Sequence, residues 1–419
     1  MTQITLAAPL TLPCGAVLAN RIAKAAMSEG YADAAGHATP RLEALYRRWA
    51  QSGAGMLLSG NIQVDPTHLE RPLNVVVSDD SGFEALARMA VAGRSGGMHF
   101  WAQISHTGRQ VDAKINPAPL SASAVEIDVM RGVGFDFAAP MAMTESQIHA
   151  AIAQFAFTAK IVKAAGFTGV QLHAAHGYLI SQFLSSHSNR RTDRWGGSLA
   201  NRSRFLLESL AAVRAAVGPA FPMSIKLNAS DFQKGAFTNA ECLALVGMLN
   251  SSTLDLLELS GGSLEQPKQV GASMKDEGED RLPESTCKRE AYFVEFAGAV
   301  KAAARMPVMV TGGFRTVAGM IEAIDNGELD VVGLGRPMIA DPETPRKILS
   351  GEIAKTLTPE TNIGLFHLLG WNNMQLERLG DGLDPDLDLP GEAGAAAFKT
   401  LEAANFTALL QSRSVESTR

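Results

Sequence analysis

Two histidines and a tyrosine, His173, His176 and Tyr178, close the short apolar run Gly169-Val170-Gln171-Leu172. Two imidazoles this close can donate hydrogen bonds to one small oxyanion, and a phenol beside them can hold an acidic proton. The histidine spacing could also suit a metal. However, no third ligand stands nearby and no HExxH occurs, so no metal is expected. The bland alternative is a set of side chains satisfied by the backbone, with Tyr178 a packed aromatic. A second pattern is Thr311-Gly312-Gly313-Phe314-Arg315, followed later by Gly335-Arg336. Bare amides at a strand-to-helix turn can wrap an anion, and a guanidinium can fork onto it. The competing reading is a pair of tight turns with Arg336 in a surface ion pair. Gly93-Arg94-Ser95-Gly96-Gly97 matches G-x-S-x-G, but it ends a helix instead of following a strand, so it is no nucleophile elbow.

Placing these residues requires the order of the elements. Apolar strand-like runs alternate with amphipathic helix-like runs, the mark of parallel βα units. Strands are expected at residues 22–27, 55–60, 100–105, 169–173, 223–228, 254–260, 307–311 and 330–335. Their helices are expected at 41–51, 82–94, 146–165, from about 201, 239–249, 288–304, 316–325 and 342–350. Ile148, Ile152, Phe155, Ala159 and Val162 recur at helical spacing, and Gly166 stops that helix. Eight such units predict an α/β fold, a (β/α)8 TIM barrel, with a doubly wound sheet as the alternative. Residues 106–144 form a long lid insertion after the third strand. The barrel is expected over 1–355 and a C-terminal extension over 356–419, packing on the barrel or on a neighbouring subunit. In the extension, 373–380 ends a helix, 381–388 is an acidic loop, 395–410 is a helix and 412–419 is frayed.

Sites of such barrels lie at the C-terminal strand ends. That rule collects residues 25–28, 60–61, 103–106, 173–178, 226–228, 260–262, 311–313 and 335–336. Loops after the last two strands are the usual phosphate site of the fold.

Composition narrows the function classes. The 419 residues are 46% hydrophobic and 19% charged, which suits a large core and excludes general disorder. A formal net charge of −6 argues against nucleic acid or an anionic membrane as partner. Cys14, Cys242 and Cys287 are scattered and odd in number, which gives no disulfide framework and fits a reducing compartment. The start of the chain has no basic leader and no run spans a bilayer, so a cytoplasmic location is expected. The sequons at Asn201, Asn228, Asn250 and Asn405 then carry no glycans.

Residues 173–185 (HAAHGYLISQFLS) and 189–202 (NRRTDRWGGSLANR) resemble the Old Yellow Enzyme family of FMN-dependent oxidoreductases. Support comes from Asn20-Arg21-Ile22, Gln103, His106-Thr107-Gly108-Arg109, Thr311-Gly312-Gly313-Phe314 and Gly333-Leu334-Gly335-Arg336-Pro337. The resemblance covers roughly residues 5–350 and agrees with the barrel.

The resemblance implies roles for individual residues. His173 and His176 bind the substrate carbonyl oxygen, and Tyr178 gives a proton to Cα. Ala26, Met27, Ser28 and Gly60 line the flavin. Gln103 and Lys226 touch its pyrimidine edge, and Gly312, Gly313, Gly335 and Arg336 hold its phosphate. The implied reaction uses NADH or NADPH to reduce FMN, which passes hydride from N5 to Cβ of an α,β-unsaturated carbonyl compound. Two imidazole donors then stabilise the charge on oxygen. Many relatives carry Arg at the Lys226 position, and here the charge survives without the planar fork. They carry Cys or Thr at the Ser28 position, where a serine hydroxyl can still meet flavin O4. With no cysteine after Cys287, an FMN-only enzyme without an iron–sulfur cluster is expected. The expected partner is a small enone or enal, with a homo-oligomer as an open option. Alternative functions are FMN-dependent dehydrogenation of a catabolic intermediate, a flavin-holding binding protein, and a flavin-free phosphate-binding isomerase or aldolase with Lys226 as Schiff base.

Overall fold

A computed structural model describes residues 5–127, 136–265 and 294–416 of the chain. A short antiparallel hairpin of β1 (Leu10–Thr11) and β2 (Val17–Leu18) comes first. Then follow β3 (Ile22–Lys24), β4 (Met56–Gln63), β5 (His99–Ser105), β6 (Leu120–Ser121), β7 (Met141–Ala142), β8 (Gly169–Ala174), β9 (Met223–Asn228), β10 (Leu256–Ser260), β11 (Val308–Thr311) and β12 (Val331–Leu334). Strands β3, β4, β5, β8, β9, β10, β11 and β12 pair in that order, all parallel, and β12 returns to β3 to close the barrel.

Closure buries both faces of each strand, which is why these strands read as apolar runs instead of alternating ones. Every residue of β4, β8, β9 and β10 is buried. Leu58, Trp101, Leu256, Met309 and Val331 form one apolar cluster with Leu12 and Leu18 of the hairpin, which plugs the N-terminal end of the barrel. Gly169 makes room there, since a Cβ would sit 2.4 Å from the Trp101 indole nitrogen. The outer faces pack against the helices in a second, larger core that includes Trp49, Phe155, Phe183 and Phe205. Helices Glu145–Ala164 and Asn239–Leu249 each start at a threonine, Thr144 and Thr238, in a reciprocal capping box.

Several expectations need correction. The first strand ends at Lys24, not Met27, because its pairing with β4 stops at Lys24–Leu57 and residues 26–28 turn away half-buried. The second strand runs on to Gln63 through an irregularity between Leu58 and Asn61. A short buried helix, Leu179–Leu184, precedes the helix expected from residue 201, which is itself split into Leu199–Arg202 and Arg204–Val217. After β12 the chain forms two short helices, Arg336–Ala340 and Thr344–Leu349, in place of one. The terminal helix spans Gly391–Glu416 and does not fray from residue 412. Arg413 donates to the Ile115 and Pro66 carbonyls, and Leu409 packs with Leu69, Val111 and Ile115. Residues 288–293 of the sixth expected helix, 128–135 of the insertion, 417–419 of the tail and Cys287 lie outside the described residues. Among the described residues, no helix is long and apolar enough to cross a membrane.

Candidate active site

His173 is the fifth residue of β8, and Tyr178 caps the helix Leu179–Leu184 just beyond it. The His173 ring lies edge-on to both neighbours, 5.0 Å from the His176 ring and 4.7 Å from the Tyr178 ring, centroid to centroid. Strand, turn and helix thus bring the three groups together on one wall. The turn requires His176 at φ +61 and Gly177 at φ +78, in the left-handed region. For a histidine that conformation is uncommon and is held by local bonds. Asn228 accepts the His176 N–H at 3.1 Å, and Gln110 donates to the His176 carbonyl at 2.8 Å. A side chain at Gly177 would press on Gln110 and Ser263.

Hydrogen bonding assigns the protons. His173 Nδ1 accepts the Ala175 N–H at 3.3 Å, so the neutral ring carries its proton on Nε2 and can donate there. His176 Nε2 pairs with the Ser260 hydroxyl at 2.8 Å. With Ser260 donating, Nδ1 is the N–H left over. Burial, then the positive charge of Lys226, holds His173 well below the usual histidine range. Burial, then His173 and Lys226, does the same for His176. Both are therefore neutral donors at physiological pH, not cations. Burial, reinforced by the Glu70 carboxyl, pushes the Tyr178 hydroxyl well above 10, so it keeps its proton.

Lys226 stands beside His173 in the β8–β9 register. Its ammonium pairs with Glu258 Oε1 at 2.9 Å, and Glu258 is fully buried. Gln103, on β5, donates to the Gln171 carbonyl at 2.7 Å. Among the described residues nothing donates to the Gln103 carbonyl oxygen. Ala26, Met27 and Ser28 follow β3, half-buried. Gly60 is a glycine for packing reasons, because a Cβ would collide with the Glu29 carboxylate and the Met27 carbonyl. Gly312 and Gly313 adopt φ +122 and +86 after β11. Gly335 opens the helix after β12, where a Cβ would meet only the Met27 sulfur at 3.8 Å. A bare backbone there leaves a cradle that any side chain would fill. Arg336 lies 3.9 Å from Glu360 Oε1, which Arg315 binds more closely. These donors, acceptors and bare turns fit a phosphate-bearing ring with carbonyls and an N–H on one edge.

The loop after β5 is tied to this wall. Gln182 donates to the Thr107 and Gly177 carbonyls and accepts from the Ser121 hydroxyl and the Arg109 N–H. Arg109 pairs with Glu265 at 2.5 Å and donates to the Val125 and Glu126 carbonyls. Part of the lid insertion is therefore anchored on both sides. A cluster of Asp65, His68 and His106 sits behind it, with ligand-type atoms within 4.8 Å of one another. Its hydrogen bonds do not fit a metal. His106 Nδ1 accepts the Gly108 N–H at 3.0 Å, and His68 Nε2 accepts the Leu120 N–H at 2.9 Å. The nitrogens facing Asp65 must then carry the protons, at 3.6 Å from His106 and 3.2 Å from His68. A metal needs lone pairs at those atoms. The cluster is a hydrogen-bond hub joining the loops after β4 and β5.

Glu258, Gln171 and Glu70 carry no motif, Asn228 and Ser260 are reached only by the strand-end rule, and Gln182 lies in the 173–185 stretch without a role that the stretch announces. A charged or amide residue inside an apolar strand run, as in Leu256-Leu257-Glu258-Leu259, is the legible hint for the first two.

Residues 5–354 match the family described as NADH:flavin oxidoreductase / NADH oxidase. The chain is 37% identical over 395 residues to an NADH-dependent flavin oxidoreductase of Aspergillus parasiticus, covering 90% of this chain and 86% of that protein. It is 31% identical over 367 residues to an NADH oxidase of Thermoanaerobacter brockii, covering 86% of this chain but only 53% of that longer protein. An old yellow enzyme homologue from Zymomonas mobilis shares the fold, with TM-score 0.70 at 23% identity over 85% of this chain and 96% of that one. The chain thus belongs to the NADH:flavin oxidoreductase / NADH oxidase family of FMN-dependent enzymes.

Proposed function

We propose that this enzyme reduces the activated C=C bond of α,β-unsaturated carbonyl compounds at the expense of NADH. The observation that carries this reading is the triad itself. Two neutral imidazoles and one protonated phenol share a wall, with ring centroids 5.0 and 4.7 Å from His173. Gln103 and Lys226 would hold the pyrimidine edge of FMN, with Ala26, Met27, Ser28 and Gly60 beside it. Gly312, Gly313, Gly335 and Arg336 would hold its phosphate. When bound, FMN supplies to the substrate Cβ the hydride it has taken from NADH.

The protein's own groups do the rest. His173 through Nε2–H and His176 through Nδ1–H donate to the substrate carbonyl oxygen, where negative charge develops. Neutral donors suit this task, since they stabilise the oxyanion without the large desolvation cost of two buried cations. Tyr178 holds the proton destined for Cα. Its burial keeps that proton in place until an enolate, a much stronger base than the carbonyl, stands beside it. The anchored loop at Gln182 and Arg109 holds the turn that carries the triad, through the bond from Gln182 to the Gly177 carbonyl.

The test is anaerobic turnover of a cyclic enone with NADH, with the product examined for a saturated ketone. Turnover of saturated ketones to enones with no enone reduction would reverse the proposed direction. Inactivity toward both would reject carbonyl activation as the role of the triad.

A further inference from the structure

One hydrogen-bond chain crosses five neighbouring strands inside the barrel. The Thr311 hydroxyl on β11 donates to Glu258 Oε1 on β10 at 2.6 Å, and Lys226 on β9 reaches the same oxygen at 2.9 Å. Gln171 Nε2 on β8 donates to Glu258 Oε2 at 2.8 Å, and Gln103 Nε2 on β5 donates to Gln171 Oε1 at 2.7 Å. Register produces the contacts, since Glu258 lies opposite Lys226 and Gln171 opposite Gln103. Glu258 and Gln171 have no exposed surface.

The carboxylate sets the polarity of this chain. An ionised carboxylate only accepts, so Gln171 must turn its NH2 toward Glu258. Its carbonyl then remains for Gln103, which must answer with its own NH2. Among the described residues, the Gln103 carbonyl oxygen is then left as the free acceptor. Both amides are oriented from the carboxylate outward, because a carboxylate offers acceptors alone.

We propose that Glu258 is a positioning residue for the cofactor, fixing the Gln103 amide through Gln171 so that it presents a carbonyl acceptor to the flavin. The inference rests on the proposed placement of FMN against Gln103. The pyrimidine edge of a flavin reads carbonyl, N3–H, carbonyl. A lone acceptor beside it selects the N3–H, and the second hydrogen of the Gln103 NH2 remains for an adjacent carbonyl. Were the relay reversed, two donors would face the N3–H and leave it unmatched.

The test uses apoprotein titrated with FMN and with N3-methyl-FMN, followed by quenching of flavin fluorescence. Wild type is expected to prefer FMN by tenfold or more, on the order of one buried hydrogen bond. In Glu258→Gln the new amide can donate to Gln171, every amide in the chain can invert, and the preference should fall several-fold through weaker FMN binding. The bulk of the methyl group is common to both proteins and cancels in the comparison. Glu258→Gln also strips Lys226 of its counter-charge, so Gln171→Leu is tested beside it. That variant breaks the relay while leaving the Lys226–Glu258 pair in place. Reduced preference in the variants that fold supports the proposal. An unchanged preference in Gln171→Leu overturns it, whether or not Glu258→Gln folds. Wild type that binds neither flavin would overturn the FMN placement itself, and the proposal with it.

Discussion

Acidification is expected to loosen the loops over the site through His106. Burial, then the neighbouring His68, holds this imidazole down to about 4 in the folded chain, against the pull of Asp65. The unfolded reference is about 6.5. The folded value is depressed, so the contribution to stability is fully present above about pH 6.5 and is lost as pH falls toward 4. His106 is 3% exposed, so solvent screening does little to reduce it. Two and a half units at ~1.4 kcal/mol each amount to roughly 3 kcal/mol, of which about 2 kcal/mol is gone by pH 5. The structural cost is specific, because a proton on Nδ1 removes the acceptor of the Gly108 N–H. His173 and His176 are depressed in the same direction and add their own slope. Asp65 acts lower: burial disfavours its charge, but hydrogen bonds from His106 and His68 outweigh that and hold it well below the carboxylate range. Comparing wild type with His106→Gln cancels every group but His106 and its immediate partners. The assay is urea unfolding of both proteins at pH 7.5 and 5.0. The stability gap between them should shrink by about 2 kcal/mol on acidification. A gap that is independent of pH, or widens, refutes the assignment of protons in the hub.

Other outcomes follow from the same geometry. His173→Ala should lower enone turnover by about 10²–10³, the usual effect of one lost oxyanion donor, while FMN stays bound; steady-state rates with an absorbance check for flavin decide it. Tyr178→Phe should slow reoxidation by enone by about 10²–10⁴ and spare flavin reduction by NADH, as stopped-flow half-reactions would show. Arg71 pairs with Glu402 at 2.8 Å, lies 4.8 Å from the Phe398 ring and is 7% exposed, so it joins the loop after β4 to the terminal helix. Arg71→Met should cost roughly 3–5 kcal/mol in urea unfolding, because it strands a carboxylate in a largely buried pair.

The sequence made the barrel legible for a physical reason. Parallel strands buried on both faces must be apolar runs, and β9 and the helix Asn239–Leu249 were read to the residue. Thr238 and Glu241 announce that helix start by themselves. The triad was legible as residue types, but its protons were not, because they depend on Ala175, Ser260 and Lys226. The left-handed turn at His176 is equally silent, since a histidine gives no glycine-like hint of positive φ. Glu258 meets Lys226, 32 positions away, only through strand register, and Asp65 meets His106 only when two loops fold together. The fraying expected from residue 412 failed because Arg413 finds two backbone carbonyls on distant loops.

If these residues hold FMN, NADH and an enone act on the flavin in turn. The visible spectrum of the purified protein, followed by anaerobic addition of NADH and then of a cyclic enone, tests it most directly. Flavin absorbance should bleach with NADH and return with the enone. A protein that stays colourless after FMN is supplied, or a flavin that NADH cannot bleach, would contradict it.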